Sequence, residues 1–197
     1  MITQKIGDGC QWIINRIVWF LSWLRINPNL LTLVGLAINF YAAYLFADDR
    51  FLAAGGVVIF AGLFDMLDGQ VARLTNRVSD FGAFLDSVID RYSDVVLFIG
   101  LLIYYARMRR FFYVVLVAIV MAASVMVSYT RARAESLIPL CKVGFLERPE
   151  RIVLIIIGAL FNRMAPVLWV IAVLSNVTVF HRCIFTWRET LKHTKPA

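Results

Sequence analysis

The sequence predicts an all-α integral membrane protein, with six transmembrane helices preceded by an amphipathic helix that lies in the membrane interface. Hydrophobic residues make up 61% of the 197 residues, whereas soluble domains contain roughly 45 to 50% apolar residues. The mean hydropathy is +0.77. Six crossings of about 20 residues each fit this length as one domain, without an internal repeat or a linker.

Residues 10–25 form the expected interfacial helix. Polar Gln11 and Asn15 alternate with aromatic residues such as Trp12, which is typical of a helix lying at the membrane surface. Pro28 then begins a new helix, because proline fits the first turn and disfavours helical geometry in the residue before it. We therefore divide the chain into an interfacial segment at 1–27, a six-helix transmembrane bundle at 28–190 and a cytoplasmic tail at 191–197.

The crossings follow in order, each ended by a polar or charged link. We expect them at about 30–47, from 51 to near Arg73, at 81–106, 111–129, 152–161 and 167–180. The fifth is short unless Pro149 begins the helix. Asp80 is a candidate N-cap for the third, since aspartate favours that position.

The distribution of basic residues predicts the orientation of the chain. Fourteen lysines and arginines lie in the N-terminal segment, the second-to-third link, the fourth-to-fifth loop and the tail, against five on the other side. The positive-inside rule then places both termini and the second-to-third link in the cytoplasm of a cell membrane. The rule also accounts for the net charge of +7, so we expect no nucleic-acid partner.

Four carboxylates occupy apolar segments near this cytoplasmic side. Asp65 and Asp68 are three residues apart, and Asp86 and Asp90 are four apart, so each pair projects from one helix face. A carboxylate near mid-membrane costs roughly 2.5 to 3.5 kcal/mol, which makes a function the default interpretation. Facing carboxylates need a counter-charge, and hard divalent cations such as Mg²⁺ or Mn²⁺ are natural partners.

Residues beside these carboxylates suit a diphosphate. Gly69 and Gly82 would let a ligand or a facing backbone approach closely, and the Arg73 fork matches a phosphate. The carboxylate pairs alone would fit a proton relay or an ion path in a small transporter equally well. Asp94 is expected to be a supporting or inter-subunit partner rather than a metal ligand.

The complete spacing resembles the signature of the CDP-alcohol phosphotransferase family. All eight positions of that signature are filled, namely Asp65, Asp68, Gly69, Ala72, Arg73, Gly82, Asp86 and Asp90. The resemblance implies six transmembrane helices after an interfacial helix, a homodimer, and transfer of a phosphatidyl-type group from a CDP-linked lipid to an alcohol with release of CMP. An ion or proton transporter would not need Gly69, Ala72 and Arg73 at those spacings, and a non-catalytic scaffold would not need acidic residues in the membrane.

The family resemblance also implies a role for each matching residue. Asp65, Asp68 and Asp86 would hold two ions of Mg²⁺ or Mn²⁺, and Asp90 would contribute a ligand and act as the general base. The CDP-lipid would contact Pro28, Thr32, Asp68, Gly69, Ala72, Arg73 and Gly82.

Two further stretches, at 128–135 and 147–151, resemble the phosphatidylinositol-phosphate synthase branch of the family. The matching residues that would bind the acceptor phosphate are Ser128, Arg131, Arg133 and Arg151, and guanidinium groups grip a phosphomonoester through paired hydrogen bonds. The same arginines would also serve as anchors on lipid headgroups. Arg131 replaces a lysine expected in actinobacterial members.

The resemblance to this branch makes inositol 1-phosphate the favoured acceptor. Glycerol 3-phosphate is the alternative, because it is also a phosphomonoester. The donor is expected to be CDP-diacylglycerol or an archaeal ether analogue.

Overall fold

The computed structural model describes residues 28–74 and 79–194, apart from the side chains of Pro28, Asp68, Ala72, Leu74, His193 and Thr194. These ranges contain helices and no strand. The helices are α1 (Pro28–Ala47), α2 (Phe51–Leu74), α3 (Asp80–Arg107), α4 (Phe111–Glu135), α5 (Arg148–Leu160) and α6 (Met164–Thr194). The all-α fold is thus confirmed, while the interfacial helix expected at 10–25 lies outside the described residues.

Three tight turns join the helices in pairs. Each contains one non-glycine residue in the left-handed region, Asp49 (φ 62°), Arg109 (φ 55°) or Asn162 (φ 51°). The Arg107 guanidinium donates to the Ala47 carbonyl oxygen at 3.1 Å, which joins the end of α3 to the end of α1. The end of α2, the start of α3 and the loop at 136–147 therefore lie at the opposite end of the bundle.

The core lies where these helices pack against one another. Helix α1 packs on α2 and α3, α4 packs on α3 and α6, and α5 packs on α2 and α6. Phe46, Leu97 and Ile155 are fully buried there. The crossing of α1 and α3 is very close, because a Cβ on Gly100 would lie 2.3 Å from the Ala43 carbonyl oxygen.

The outer surface is that of a multi-pass membrane protein. Helices at 29–47, 51–71, 111–135 and 164–192 are long and apolar enough to cross a membrane, and large apolar side chains such as Phe111 and Phe180 are exposed. Helix α3 carries several carboxylates in its first half. Helix α5 has 13 residues and is about 20 Å long, shorter than the roughly 30 Å hydrocarbon layer. The count of six crossings stays a prediction.

Several helix ends differ from the sequence prediction. The prediction that Asp80 caps α3 is wrong, because the Ser79 hydroxyl accepts from the Gly82 N–H at 3.0 Å and Asp80 lies in the first turn, where its charge favours the helix dipole. Pro149 does lie in the first turn of α5. Helices α4 and α6 continue beyond their apolar runs, to Glu135 and Thr194.

Candidate active site

The carboxylates of the signature come from two antiparallel helices at one end of the bundle. Asp65 lies in the second half of α2, and Asp86 and Asp90 lie in the first half of α3. Asp68 lies on α2 one turn after Asp65, but its side chain is outside the described set.

The Arg148 guanidinium lies between carboxylates of both helices. Its Nη2 atom is 2.8 Å from Asp65 Oδ2, and its Nη1 atom is 2.8 Å from Asp90 Oδ1. The exposed fractions of these side chains are 25% for Arg148, 24% for Asp65 and 19% for Asp90. One planar cation at the start of α5 thus connects α2 to α3.

A buried ion pair lies below this cation. Asp94 is 3% exposed and Arg151 is fully buried, and Arg151 Nη2 donates to Asp94 Oδ2. The Arg148 Nε atom is 3.7 Å from Asp94 Oδ1, beyond hydrogen-bond distance. A buried pair of this kind is costly to break, because the remaining partner stays uncompensated. Asp94 therefore supports the site as a charge partner within the chain.

The aspartates of the site suit a hard divalent cation, but in the structure a guanidinium group contacts them. Oxygen ligands from aspartate are the donors that Mg²⁺ and Mn²⁺ prefer. Within the described part of the chain, no three carboxylate, imidazole or thiol groups are arranged to hold one ion, and Arg148 contacts the oxygens of Asp65 and Asp90. The residue types fit a metal, and the cation seen between them is a guanidinium.

The residues expected around the CDP group lie on α1, α2 and the start of α3. The Arg73 Nε atom donates to the Gly69 carbonyl oxygen at 3.3 Å on an exposed surface, and Thr32 is buried on α1. A Cβ on Gly82 would lie 3.5 Å from Asn29 Oδ1, so the starts of α1 and α3 adjoin. Pro28 and Ala72 lie on α1 and α2 in the same region of the chain.

The residues expected at the acceptor phosphate separate into two groups. Ser128, Arg131 and Arg133 lie on the last turns of α4. Arg131 Nε is 3.1 Å from Glu135 Oε1, and Arg131 Nη1 is 3.2 Å from Glu147. Arg133 is exposed, with Nη1 3.3 Å from the Ser136 hydroxyl oxygen. Arg151 lies apart from this group, in the buried pair described above.

A fourth arginine, Arg182 of α6, joins the arginines of α4. Its Nη2 atom is 2.6 Å from Glu147 Oε1, and its other nitrogens donate to the carbonyl oxygens of Val127 and Val143. Arg182 and Arg133 both line a cavity of about 300 Å³ between α4 and α6. Arg133 is the exposed guanidinium of this cavity, because Arg182 is 1% exposed and its nitrogens already pair within the chain.

Three residues of the site were missed by sequence reasoning, namely Glu147, Arg148 and Arg182. Glu147 accepts from both Arg131 and Arg182 and also caps α5 through a reciprocal pair of hydrogen bonds with Glu150. Glu147 and Arg148 stand in the stretch that resembles the inositol-phosphate branch, which was the available signal. Arg182 was counted only among the basic residues that follow the sixth apolar run.

Comparison of the whole chain with known proteins shows the family to which it belongs. The sequence model described as CDP-alcohol phosphatidyltransferase matches residues 25–187. The chain belongs to this family. It is therefore a membrane-embedded transferase of the phospholipid-synthesising class, and the prediction of the family from the eight signature residues is confirmed.

Relatives with curated names and solved structures resemble the chain over most of its length. It is 38% identical over 182 residues to an archaetidylinositol phosphate synthase of Pyrococcus horikoshii, covering 92% of this chain and 94% of that protein. The Mycobacterium tuberculosis phosphatidylinositol phosphate synthase with CDP-DAG bound is 34% identical, with a TM-score of 0.83, and the match covers 89% of this chain and 94% of that one. The same enzyme in complex with manganese and citrate is 34% identical, with a TM-score of 0.81, and the match covers 88% of each chain.

Proposed function

We propose that the chain transfers a phosphatidyl-type group from a CDP-linked lipid to the hydroxyl group of a phosphorylated polyol, inositol 1-phosphate, and releases CMP. One observation carries the proposal: carboxylates from α2 and α3 converge on a single cation at the bundle end that also bears the arginines of α4, α5 and α6. An acidic site beside a basic site suits a metal-held diphosphate donor and an anionic acceptor.

The acidic half of the site binds and activates the reacting groups. Asp65, Asp68, Asp86 and Asp90 are the residues that would hold two Mg²⁺ or Mn²⁺ ions, which when bound neutralise the charge on the diphosphate. Asp90 takes the proton of the acceptor hydroxyl as that oxygen attacks the β-phosphorus. The new oxygen–phosphorus bond forms as the bond to the CMP oxygen breaks. Proton removal of this kind requires the carboxylate within about 2.6 to 3.2 Å of the hydroxyl in the bound complex.

The donor lies along the starts of α1 and α3. Thr32, Gly69, Arg73 and Gly82 surround the CDP group in this proposal, together with Pro28, Asp68 and Ala72. Support comes from the adjacency of the starts of α1 and α3 and from the exposed Arg73 guanidinium. The CDP-DAG complex of the mycobacterial relative further supports a CDP-lipid donor. The lipid is diacylglycerol or an archaeal ether analogue, since the curated relatives include both phosphatidyl- and archaetidyl-type synthases.

The basic half of the site selects an acceptor that carries a phosphate. Arg131 and Arg133 lie on α4 with Ser128, Arg182 faces them from α6, and Glu147 accepts from two of the three guanidiniums. A phosphomonoester there would gain charge-assisted hydrogen bonds. We also assign Arg151 to this side, where its buried pair with Asp94 fixes the base of the site. The inositol-phosphate names of the relatives favour inositol 1-phosphate over glycerol 3-phosphate.

We propose the same orientation that the charge distribution predicts. The acidic and basic halves then face the cytoplasm, as do both termini, and the tight turns lie outside. In this proposal the chain crosses the cell membrane six times as a single domain, with residues 1–27 at the interface, and acts as a homodimer.

The proposal is tested by the acceptor dependence of CMP release. Purified protein is given CDP-diacylglycerol and Mg²⁺ or Mn²⁺, with inositol 1-phosphate, free inositol, glycerol 3-phosphate or serine in parallel reactions. We expect release of CMP with inositol 1-phosphate and none above background with free inositol, because the arginines need a phosphate. Release with glycerol 3-phosphate alone would keep the reaction class and contradict the acceptor. No release with any acceptor would contradict the proposed substrate pair.

A further inference from the structure

We propose that Arg148 is an internal cation that competes with the divalent metal ion for Asp65 and Asp90, and thereby sets the metal affinity of the site. This inference deepens the proposed function and rests on its assignment of the aspartates as metal ligands. It concerns a residue that the family signature does not contain.

The contacts of Arg148 are those of a counter-ion. Its two terminal nitrogens reach Asp65 Oδ2 and Asp90 Oδ1, each at 2.8 Å. These carboxylates belong to different helices and lie 83 and 58 residues away in the chain, so only the tertiary fold brings them to one guanidinium. A metal ion that binds both aspartates through these two oxygens must displace Arg148, and a metal ion held by their other oxygens lies close to a guanidinium of like charge. Arg148 therefore opposes metal binding in either arrangement.

The position of Arg148 allows it to leave. It is the first residue of α5, and its side chain is one-quarter exposed. Its third contact, from Nε to Asp94 Oδ1, is 3.7 Å long, and Nε has no hydrogen-bond partner among the described residues. Arg151 already neutralises Asp94 from the buried side. Withdrawal of Arg148 thus breaks two contacts at the rim of the site and leaves the buried pair intact.

The competition has a measurable size. When only a fraction of the protein molecules can bind a ligand, the apparent dissociation constant equals the intrinsic constant divided by that fraction. If Arg148 occupies the carboxylates in about nine of ten metal-free molecules, its removal should tighten metal binding about tenfold. The metal-free protein should also lose stability, since two facing carboxylates are left without a counter-charge.

The test measures binding of Mn²⁺ alone to the full-length protein in detergent, from the loss of the electron paramagnetic resonance signal of free aqueous Mn²⁺. The variants are Arg148→Met, which removes the charge and retains much of the length, and Arg148→Lys, which keeps a charge but loses the fork. The matched control is Arg91→Met. Arg91 is also near Asp90, at 3.7 Å, but does not bridge the two helices. Thermal unfolding in a metal chelator is measured for each protein.

We expect Arg148→Met to bind Mn²⁺ about tenfold more tightly than wild type, to unfold at a lower temperature without metal, and to gain more thermal stability from Mn²⁺. Arg148→Lys should bind several-fold more tightly, because an ammonium group is a point charge rather than a fork; this variant carries the test if Arg148→Met does not fold. Arg91→Met should stay within about twofold of wild type, since its surface contact is weak.

Unchanged or weaker Mn²⁺ binding in both Arg148 variants would overturn the proposal. Equal tightening in Arg91→Met would also overturn it, because general loss of positive charge would then explain the effect. If neither wild type nor any variant binds Mn²⁺, the metal site of the proposed function is wrong, which is a separate failure. If wild type binds Mn²⁺ and neither Arg148 substitution changes the affinity, the role proposed for Arg148 is wrong and the proposed metal site still stands.

Discussion

Replacement of Asp94 by asparagine should destabilise the protein strongly. The side chain is 3% exposed, and its partner Arg151 is fully buried with two further nitrogens that lack hydrogen-bond partners among the described residues. Asparagine preserves the shape but removes the charge, so the Arg151 guanidinium would remain buried and uncompensated. Removal of one partner of a buried pair costs about 3 to 5 kcal/mol. For a chain of this size, that corresponds to a fall in melting temperature of about 6 to 20 °C.

The assay is thermal unfolding of purified protein in detergent, with Asp48→Asn as the matched control. Asp48 pairs with Arg50 at 2.9 Å, but their side chains are 38% and 68% exposed, and such a pair contributes only about 0.2 to 1 kcal/mol. The double variant Asp94→Asn with Arg151→Met should be less destabilised than Asp94→Asn alone, because no buried charge remains. Equal melting temperatures for the two single variants would refute the argument that this pair is energetically buried.

Three further outcomes follow from the same contacts. Gly100→Ala should cost about 1 to 3 kcal/mol of stability, because the new Cβ would lie 2.3 Å from the Ala43 carbonyl oxygen. Gly56→Ala is the control, since nothing lies within 4 Å of a Cβ at that position. In thermal unfolding, Gly56→Ala should be neutral or stabilising. Arg133→Gln should raise the KM for the acceptor and leave the KM for the CDP-lipid unchanged, as measured by CMP release, because this exposed guanidinium is assigned to the acceptor phosphate alone. Treatment with a chelator should abolish CMP release and added Mg²⁺ or Mn²⁺ should restore it; release that persists in the chelator would contradict metal assistance.

Much of the fold was predictable because the lipid bilayer restricts the structures that a chain can adopt. Apolar runs bounded by charges gave the order of the helices, since every crossing must satisfy its backbone internally. The ends of α4 and α6 were not predictable in this way, because polarity marks where a run leaves the lipid and not where a helix ends. Arg131 and Glu135, which form an ion pair four residues apart, lie in the part of α4 beyond its apolar run and stabilise the helix there.

The carboxylate half of the site was predictable from spacing, whereas its arginine partners were not. The spacings of three and four residues place each pair of aspartates on one helix face, and in the structure Arg148 contacts both Asp65 of α2 and Asp90 of α3. Arg148 reaches Asp65 from 83 residues away, and Arg182 reaches Glu147 from 35 residues away. Contacts between residues so far apart in the sequence depend on how α5 and α6 pack against the other helices. No local sequence pattern predicts that packing. The buried state of Arg151 likewise depends on Asp94, which lies four residues beyond the last residue of the signature.

The central claim is that Asp90, which Arg148 joins to Asp65 of α2, acts as the general base. The most direct measurement compares acceptor-dependent CMP release by wild type and Asp90→Asn at saturating metal, together with CDP-lipid binding by both. We expect the turnover number to fall about 10²- to 10⁴-fold, with the folded protein still binding the CDP-lipid. Full activity in the purified variant would contradict the assignment of Asp90 and, with it, the proposed arrangement of the site.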